Sequence, residues 1–557
     1  MEKQVILFFL CFSFIFPIEE NIINSVYNLA IDSKNILVYK DNNFKLSNSD
    51  YFQDIANFRI IKNYNNEYYN IELAQSNFKL SASPGNLKMV SRDNLDNVEW
   101  SFIKSKNNKY IIKNKNECYI ILTSNKITCK NSIKEAIKFN LIKVYDPVNH
   151  SEEDLKLIEK EPIDVLIKYI DLSDPTLVRE GIPQIKKDED NEELKYNIRS
   201  IMKNIPWVRK IYIVMPNKKV RFFKDYELIK DKIVYVSDKD VLGHESSNSV
   251  SFQFSFWVME RFNISKNYIL MDDDCFIGKP LKKSDLFYVE NGKVVPAIVS
   301  TKFNKYSLES VINLHQYYKK RLKNKQTTED FYYSLYKGYI ILLKMFKHDS
   351  IFPEFTHNAI PCNIDEVKEI YNIVYNSEYK YATLDSIYRH IECLQFQSFY
   401  LAYTFVKNNQ KVNPVANIYI DVGGTFNADY NYSLFCINTG AHKYSNDDFM
   451  KAKIAMEYKF PEPTPYEIIN YKNIPDLAFN IIYQMNKKEE KLTLKFVTIC
   501  IITGILSFII VILIIFIFIC FKKKRFTEYD AIPEQIELIK DKKSKYSDIN
   551  MEMSKFN

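Results

Sequence analysis

Glycine is scarce, 10 of 557 residues, against a usual ~7%. That scarcity excludes collagen-like and propeller-like architectures and any glycine-rich phosphate loop. No CxxC or His-x-His cluster occurs among the nine cysteines and seven histidines, so a zinc site is not expected. Charge of one sign is also lacking. With 76 basic residues against 69 acidic ones, interspersed and summing to +7, the chain is not expected to bind nucleic acid. What is abundant is aromatic: 40 Tyr and 39 Phe accompany many Asn, Lys and Ile, a bias that AT-rich codons produce as readily as function does. A hydrophobic content of 46% with 26% charged residues fits a folded chain, and the length suits two or three domains.

Two apolar runs bear on compartment. Met1-Glu2-Lys3-Gln4 precedes Val5–Ile18, too short to span a bilayer comfortably, and residues 1–20 read as a signal peptide, an uncleaved anchor being the alternative. Phe496 to Phe521 is 26 residues without a charge, ~39 Å as a helix and enough for a ~30 Å hydrocarbon core. Lys522, Lys523, Lys524 and Arg525 follow and place that end in the cytosol. The expectation is a single-pass type I membrane protein of the secretory pathway, with a polar, disordered tail over 522–557. In that tail Glu534–Ile539 fits an acidic dileucine pattern and Tyr529–Ile532 a Tyr-x-x-apolar pattern, so adaptor binding and an endosomal or surface itinerary are open. Asn149, Asn263 and Asn431 head glycosylation triplets. Cys118 and Cys129 are spaced to bridge a hairpin, and the pairing of Cys275, Cys362, Cys393 and Cys436 stays open.

Residues 24–146 read as short strands between polar turns. Phe58-Arg59-Ile60, Trp100-Ser101-Phe102 and Phe139-Asn140-Leu141 recur 42 and then 39 residues apart, each closing a strand-rich block. Phe44-Lys45-Leu46, Phe78-Lys79-Leu80 and Cys118-Tyr119-Ile120 read as equivalent places within the blocks. Three such units predict a β-trefoil. The Gln-x-Trp signature of ricin-type sugar binders is missing, since Val98 precedes Trp100 by two, so this part reads either as a lectin or as a structural or docking module. The charged stretch 147–162 reads as a linker. From Ile163 the pattern becomes α/β. Strands at Ile163–Ile170, Lys210–Met215, Lys232–Val236 and Asn267–Met271 alternate with helical stretches such as Asn191–Asn204, predicting a mostly parallel, doubly wound sheet over 163–475. Residues 303–350 read as a helical, Lys-rich insertion or lid.

Met271-Asp272-Asp273-Asp274 ends the last of these strands, and ligands of open α/β sheets sit outside strand carboxyl ends. Three neighbouring carboxylates repel one another unless a cation neutralises them, which makes Asp272, Asp273 and Asp274 candidate ligands for a divalent ion; a solvated acidic turn is the plain alternative. Asp171-Leu172-Ser173-Asp174-Pro175 ends the first strand in the same way, or is simply a capped turn. His357 is a candidate general base, and Arg389 offers a planar, permanently charged fork for phosphate.

In this order the motifs resemble the Stealth family of sugar-1-phosphate transferases. That family includes bacterial capsule polymerases and the catalytic subunit of the lysosomal-enzyme N-acetylglucosamine-1-phosphotransferase. The first family region is matched by Ile163-Asp164-Val165 through Asp171–Pro175. The second, and strongest, is matched by Asp190–Ser200, Pro206–Val214 and Tyr268–Asp274. The third falls on Thr356-His357-Asn358 with Pro361 and on Arg389–Glu392 with Gln395-Phe396. The fourth is Phe435–Asn438 followed by Phe460–Glu467. The resemblance implies transfer of a sugar 1-phosphate, typically N-acetylglucosamine 1-phosphate, from a UDP-sugar to a glycan or glycoprotein hydroxyl. UMP would leave, Mg²⁺ or Mn²⁺ would assist, and the setting would be a Golgi membrane. It implies catalytic roles for Asp274, His357 and Arg389, and substrate contacts from Asp171, Ser173, Asp174, Asn191, Arg199, Asn248 and Asn438. Several positions depart from the family: Tyr169 stands where Trp is usual, Leu172 where Gly is, Asp272 where Asn is, Gln253 where a catalytic Glu is, and Thr439 where an Asp is. Competing readings are a metal-dependent glycosyltransferase that releases UDP, and a catalytically degenerate glycan-binding membrane receptor.

Overall fold

The computed structural model describes residues 25–468 apart from 32–34, 41–42, 49–56, 64–67, 75–77, 92–96, 124–125, 172–173, 175–191, 217–218, 323–327, 422–431 and 439–445. The expected signal peptide, membrane segment and tail lie outside the described residues. Among the described residues no helix is long and apolar enough to cross a membrane.

Twelve strands form the N-terminal part: β1 (Val26–Ala30), β2 (Asn35–Lys40), β3 (Asn43–Asn48), β4 (Asn57–Lys62), β5 (Tyr69–Leu73), β6 (Phe78–Ser83), β7 (Asn86–Ser91), β8 (Trp100–Lys104), β9 (Tyr110–Asn114), β10 (Tyr119–Thr123), β11 (Lys126–Lys130) and β12 (Lys138–Tyr145). Antiparallel pairing runs β1–β4–β5–β8–β9–β12 and back to β1, a closed six-strand ring without an edge. The hairpins β2–β3, β6–β7 and β10–β11 complete three four-strand units, the arrangement of a β-trefoil. Phe58, Trp100 and Phe139 occupy matching places in β4, β8 and β12, each fully buried in one shared core. The Trp100 indole keeps its hydrogen bond there, donating to Leu80 O at 2.9 Å.

The inner repeat is out by one strand in the first unit. Leu80 and Ile120 are second-strand residues, whereas Phe44 lies on the third strand, and the buried second-strand counterpart is Leu37. A better marker is Tyr27, Tyr69 and Tyr110, 42 and 41 residues apart, all buried on the first strands. Cys118 and Cys129 are bridged across the β10–β11 hairpin.

Within the polar stretch 147–162, α1 (Glu152–Lys160) forms behind a capping box: Asp154 N donates to Ser151 Oγ at 3.1 Å and Ser151 N to Asp154 Oδ2 at 2.9 Å. Three acidic residues in its first turn and Lys160 in its last complement the helix dipole.

The α/β part is built on β13 (Ile163–Lys168), β14 (Ile211–Met215), β15 (Ile233–Ser237) and β16 (Asn267–Asp272). These four are parallel, in the order β15–β14–β13–β16. Successive residues alternate between two cores. Val165, Ile167, Ile211, Ile213, Ile269 and Met271 face α2 (Glu193–Asn204). Leu166, Tyr212, Val214, Tyr268 and Leu270 face α5 (Ser249–Ser255). Two short helices, α3 (Tyr226–Ile229) and α4 (Asp238–Leu242), precede α5. Strand order reverses between β13 and β16, and their register sets Lys168 opposite Asp272 at the shared carboxyl edge.

Beyond that edge β17 (Cys275–Ile277) leaves the sheet. After α6 (Lys283–Leu286) come the hairpin β18 (Phe287–Glu290) and β19 (Lys293–Pro296), then β20 (Phe303–Tyr306), which pairs with β21 (Ser350–Pro353). Between β20 and β21 lie α7 (Leu308–Lys319) and α8 (Thr328–Phe346), the helical insertion expected over 303–350. Strand β22 (Ile360–Asn363) adds to β16 in the antiparallel sense, and α9 (Ile364–Tyr375) and α10 (Phe396–Lys407) pack on the α5 side. The remaining elements are β23 (Asn417–Asp421), β24 (Leu434–Asn438) and α11 (Asn446–Lys459). β24 pairs with β17 antiparallel and with β23 parallel.

Candidate active site

The acidic triplet sits where β16 ends and β17 begins, and α2 fixes that turn from beneath. Asn197, Ser200 and Asn204 lie three and four residues apart on one helix face. Asn197 Nδ2 donates to the carbonyls of Asp272 at 3.1 Å and Cys275 at 2.5 Å. Ser200 Oγ accepts from Ile277 N at 3.1 Å, and Asn204 Nδ2 donates to Ile277 O at 2.6 Å. Three buried polar side chains thus replace the sheet partner that β17 lost on turning away. Sequence reasoning passed over all three, although polar residues at that spacing on an otherwise apolar helix were the visible signal.

The three carboxylates have different surroundings. Asp272 Oδ2 is 2.7 Å from His357 Nε2 and accepts from Gln397 Nε2 at 3.1 Å, while Oδ1 accepts from Gln253 Nε2 at 3.2 Å. Burial opposes its charge, but the His357 bond and charge and the two amides hold it below the usual carboxylate range. Asp274 is buried, with Oδ2 accepting from Asn438 Nδ2; burial and the Asp272 charge, against the pull of His357, leave its proton affinity raised. Among the described residues no side chain donates a hydrogen bond to Asp273, which burial and its two acidic neighbours push up to about 8. Burial lowers His357, yet Asp274 and the bond to Asp272 lift it well above 6.5. Its Nδ1 lies 3.2 Å from Cys436 Sγ and 3.7 Å from Asp274 Oδ2.

Four segments far apart in sequence therefore converge: Gln253 on α5, Asp272 to Asp274, His357 before β22, and Asn438 at the end of β24. Gln397, unforeseen, reaches Asp272 from the first turn of α10. Arg389 is exposed, in the turn before α10, where Nη2 donates to Gln395 Oε1 at 3.2 Å. Asn358, beside His357, is buried with neither amide atom hydrogen-bonded among the described residues.

Other expected contacts are placed differently. Arg199 does not present its guanidinium to a phosphate. Nε and Nη2 bond Glu467 at 2.7–3.1 Å, and Nη1 bonds Glu457 at 3.1 Å and Phe460 O at 2.8 Å, so the group ties α2 to α11 and the segment after it. Asn248 is fully buried as the N-cap of α5. Its Oδ1 accepts from Val250 N, and its Nδ2 donates to Thr383 O and Ser386 O. Asp171 lies 3.6 Å from Arg221 Nη1, and Asp174 N bonds Asp171 O at 3.2 Å to close the turn after β13. Asn149 and Asn263 are exposed. Ser173, Asn191, Asn431 and Thr439 lie outside the described residues.

The donor set fits a divalent cation. Among the described residues Asp273 has no side-chain donor, Asp274 lies beside it, and both adjoin the switch point of the sheet. A second group of possible ligands is Asp274, Cys275, His357 and Cys436, whose donor atoms all fall within 4.8 Å of one another.

Residues 187–295 match the family model of conserved region 2 of the Stealth proteins. A capsular polysaccharide phosphotransferase from Actinobacillus suis is 29% identical over 182 residues, covering 28% of this chain and 46% of that protein. One from Haemophilus influenzae is 31% identical over 102 residues, covering 18% of this chain and 27% of that protein. The N-acetylglucosamine-1-phosphotransferase subunits alpha/beta of Mus musculus are 26% identical over 190 residues, covering 31% of this chain and 14% of that protein. The chain thus spans less than half the length of these relatives. Among solved structures, SeviL bound to asialo-GM1 saccharide aligns with 22% of this chain and 98% of its own, at 16% identity and a TM-score of 0.20.

Proposed function

We propose that this chain, which carries the Stealth conserved region 2 over residues 187–295 and is related to sugar phosphotransferases, transfers a sugar 1-phosphate from a UDP-sugar to a hydroxyl of a glycan acceptor. The observation that carries the reading is the convergence of His357, Gln253 and Gln397 on Asp272, beside Asp274 with its Asn438 partner. N-acetylglucosamine 1-phosphate is the proposed group and UMP the proposed leaving product. A secretory-pathway membrane, the Golgi first among them, is the proposed setting.

Phosphoryl transfer needs positioning and charge stabilisation more than covalent help from the protein. In this reading Asp272 fixes the His357 ring, and the imidazole takes the acceptor proton as the hydroxyl attacks the sugar-proximal phosphorus. The two carboxylates raise that imidazole's proton affinity well above its ordinary value, so in this reading substrate or cation must offset them for it to act as a base. Asp273 and Asp274, with Asp272, are the proposed holders of Mg²⁺ or Mn²⁺, which when bound offsets negative charge on the diphosphate. Asp171 and Asp174, with Arg221 nearby, are proposed to border the nucleotide side, and Arg389 to reach the phosphates from the mouth of the site. Gln253 cannot take a proton, and its hydrogen bond to Asp272 supports a positioning role instead.

The test uses the purified chain with UDP-N-acetylglucosamine, Mg²⁺ or Mn²⁺ and a mannoside, with the nucleotide product identified. UMP with a phosphodiester-linked sugar is the expected result, and Asp274→Ala or His357→Ala should each lower the rate by about 100-fold or more. UDP with direct glycosidic transfer would make the protein a glycosyltransferase. Nucleotide-sugar binding without either product would leave the receptor reading, which the Gln at position 253 favours.

A further inference from the structure

We propose that Asp274, Cys275, His357 and Cys436 form a four-ligand site for a borderline-soft divalent ion of the zinc class. The site is distinct from the all-oxygen set proposed for Mg²⁺ or Mn²⁺, although it shares Asp274. The inference does not rest on the transferase reading.

Three of the separations among these donors come near the edge of a tetrahedral site, and all fall within 4.8 Å. Donors 2.0–2.3 Å from a central ion lie about 3.3–3.8 Å from one another. Here His357 Nδ1 is 3.2 Å from Cys436 Sγ and 3.7 Å from an Asp274 oxygen, and Cys275 Sγ is 3.6 Å from the other oxygen of the same carboxylate. Cys275 and Cys436 are direct cross-strand partners in β17 and β24, so their thiols share one side of that pair. Two sulfurs and an imidazole select zinc over magnesium, which prefers oxygen and keeps its waters.

The surroundings match as well. A metal-bound imidazole usually gives its other ring N–H to a carboxylate, and His357 Nε2 is 2.7 Å from Asp272 Oδ2. Asn438 Nδ2 donates to Asp274 and orients that ligand. Both thiols are fully buried, whereas His357 keeps 26% of its side chain exposed and leaves a way in. Binding would release the two thiol protons and the Nδ1 proton that the neighbouring carboxylates favour, so that two thiolates, the freed Nδ1 lone pair and one carboxylate oxygen complete the set. The expectation from spacing missed this because no two ligands form a CxxC or His-x-His pair: they come from residues 274–275, 357 and 436. If the transferase reading holds, an ion seated there withdraws Asp274 and His357 from the reaction and inhibits it.

Zinc affinity of the purified full chain, freed of metal by chelation, would be measured by competition with a chromogenic chelator, and metal content by elemental analysis. One zinc per chain is expected, not displaced by about a hundredfold excess of Mg²⁺. Cys275→Ser and Cys436→Ser should each weaken binding at least about tenfold, and Asp272→Asn, which changes the imidazole's partner while leaving all four ligands in place, about tenfold. Cys393→Ser, at a buried thiol outside the cluster, should bind as the parent does, and thermal melts would verify folding of each variant. Absence of bound zinc, equal affinity of Cys275→Ser and the parent, or loss in Cys393→Ser would overturn the site. So would an intact mass revealing a Cys275–Cys436 disulfide in the chain as isolated. None of these readouts uses enzymatic activity, so failure here and failure of the transferase reading are separable.

Discussion

Three adjacent carboxylates on one strand end do not ionise alike, and the differences come from partners rather than from position. Asp272 has an imidazole and two amides around it and stays charged; Asp273 has no side-chain donor among the described residues and holds its proton to about 8. A half-buried carboxylate away from this site follows the same logic. Glu366 accepts from Tyr400 Oη, from Asn408 Nδ2 at 2.8 Å and from Gln410 Nε2 at 2.9 Å, yet burial outweighs those bonds and raises it from 4.5 to about 7. The folded state then binds the Glu366 proton more tightly than the unfolded chain does. Its contribution to stability is full below the unfolded value, declines as pH rises between about 4.5 and 7, and is lost above. Glu366→Gln should remove that slope and gain at most about 3 kcal/mol over the parent at pH 8. Urea midpoints of both chains at pH 5 and pH 8 would check it; an unchanged difference between the two pH values would refute it.

At the scale of the element, α2 does two jobs with one helix. Leu194, Ile198 and Ile201 pack on the sheet, while Asn197, Ser200 and Asn204 hold the backbone of the acidic turn and β17. Asn197→Ala would leave the carbonyls of Asp272 and Cys275 without that donor, at a cost of about 1–3 kcal/mol. Because that turn carries the acidic residues, kcat should fall more than KM rises, a split that steady-state kinetics at a temperature well below the melting point would read. A global loss of stability with unchanged kcat would make Asn197 purely structural. The scarcity of glycine also makes sense here. Gly278, just past β17, bonds Ser433 O at 2.8 Å, and a Cβ there would collide with Tyr432 O and crowd the Phe435 ring. It is retained where the backbones of two strands must touch.

Over the whole molecule, two structural solutions meet in one chain. The β part closes a ring of six strands, so its stability rests on a single shared core with Phe58, Trp100 and Phe139 at equivalent places. The Cys118–Cys129 bridge closes a loop of 11 residues in the third unit; its removal by Cys118→Ala with Cys129→Ala should cost about 3 kcal/mol. Calorimetry of the chain should register this as a lower melting temperature, and no shift would mean that the hairpin is held by its neighbours alone. The α/β part rests instead on a sheet covered on both faces, with its acidic turn at the shared carboxyl edge of β13 and β16. Val26, Val144 and Tyr145 pack into the same core as Phe303, with the Tyr145 and Phe303 rings 4.8 Å apart, so the two parts share apolar contact.

Local chemistry determined much of this from the sequence alone. Alternating apolar residues mark strands, a charged triplet after a buried apolar run marks where that strand ends, and cysteines 11 residues apart can bridge a hairpin. These need only short-range patterns. Tertiary structure alone decided which motif residues gather at the acidic turn and which bond elsewhere within the fold. Arg199 and Asn248 stand in matched motifs yet make their hydrogen bonds inside the protein, while Gln397, not singled out in a linear reading, and Cys275, weighed there only for its pairing, arrive beside Asp272 and Asp274. The reason is physical: a side chain's role depends on which polar groups meet it after the chain has folded, and here those groups lie up to 268 residues away.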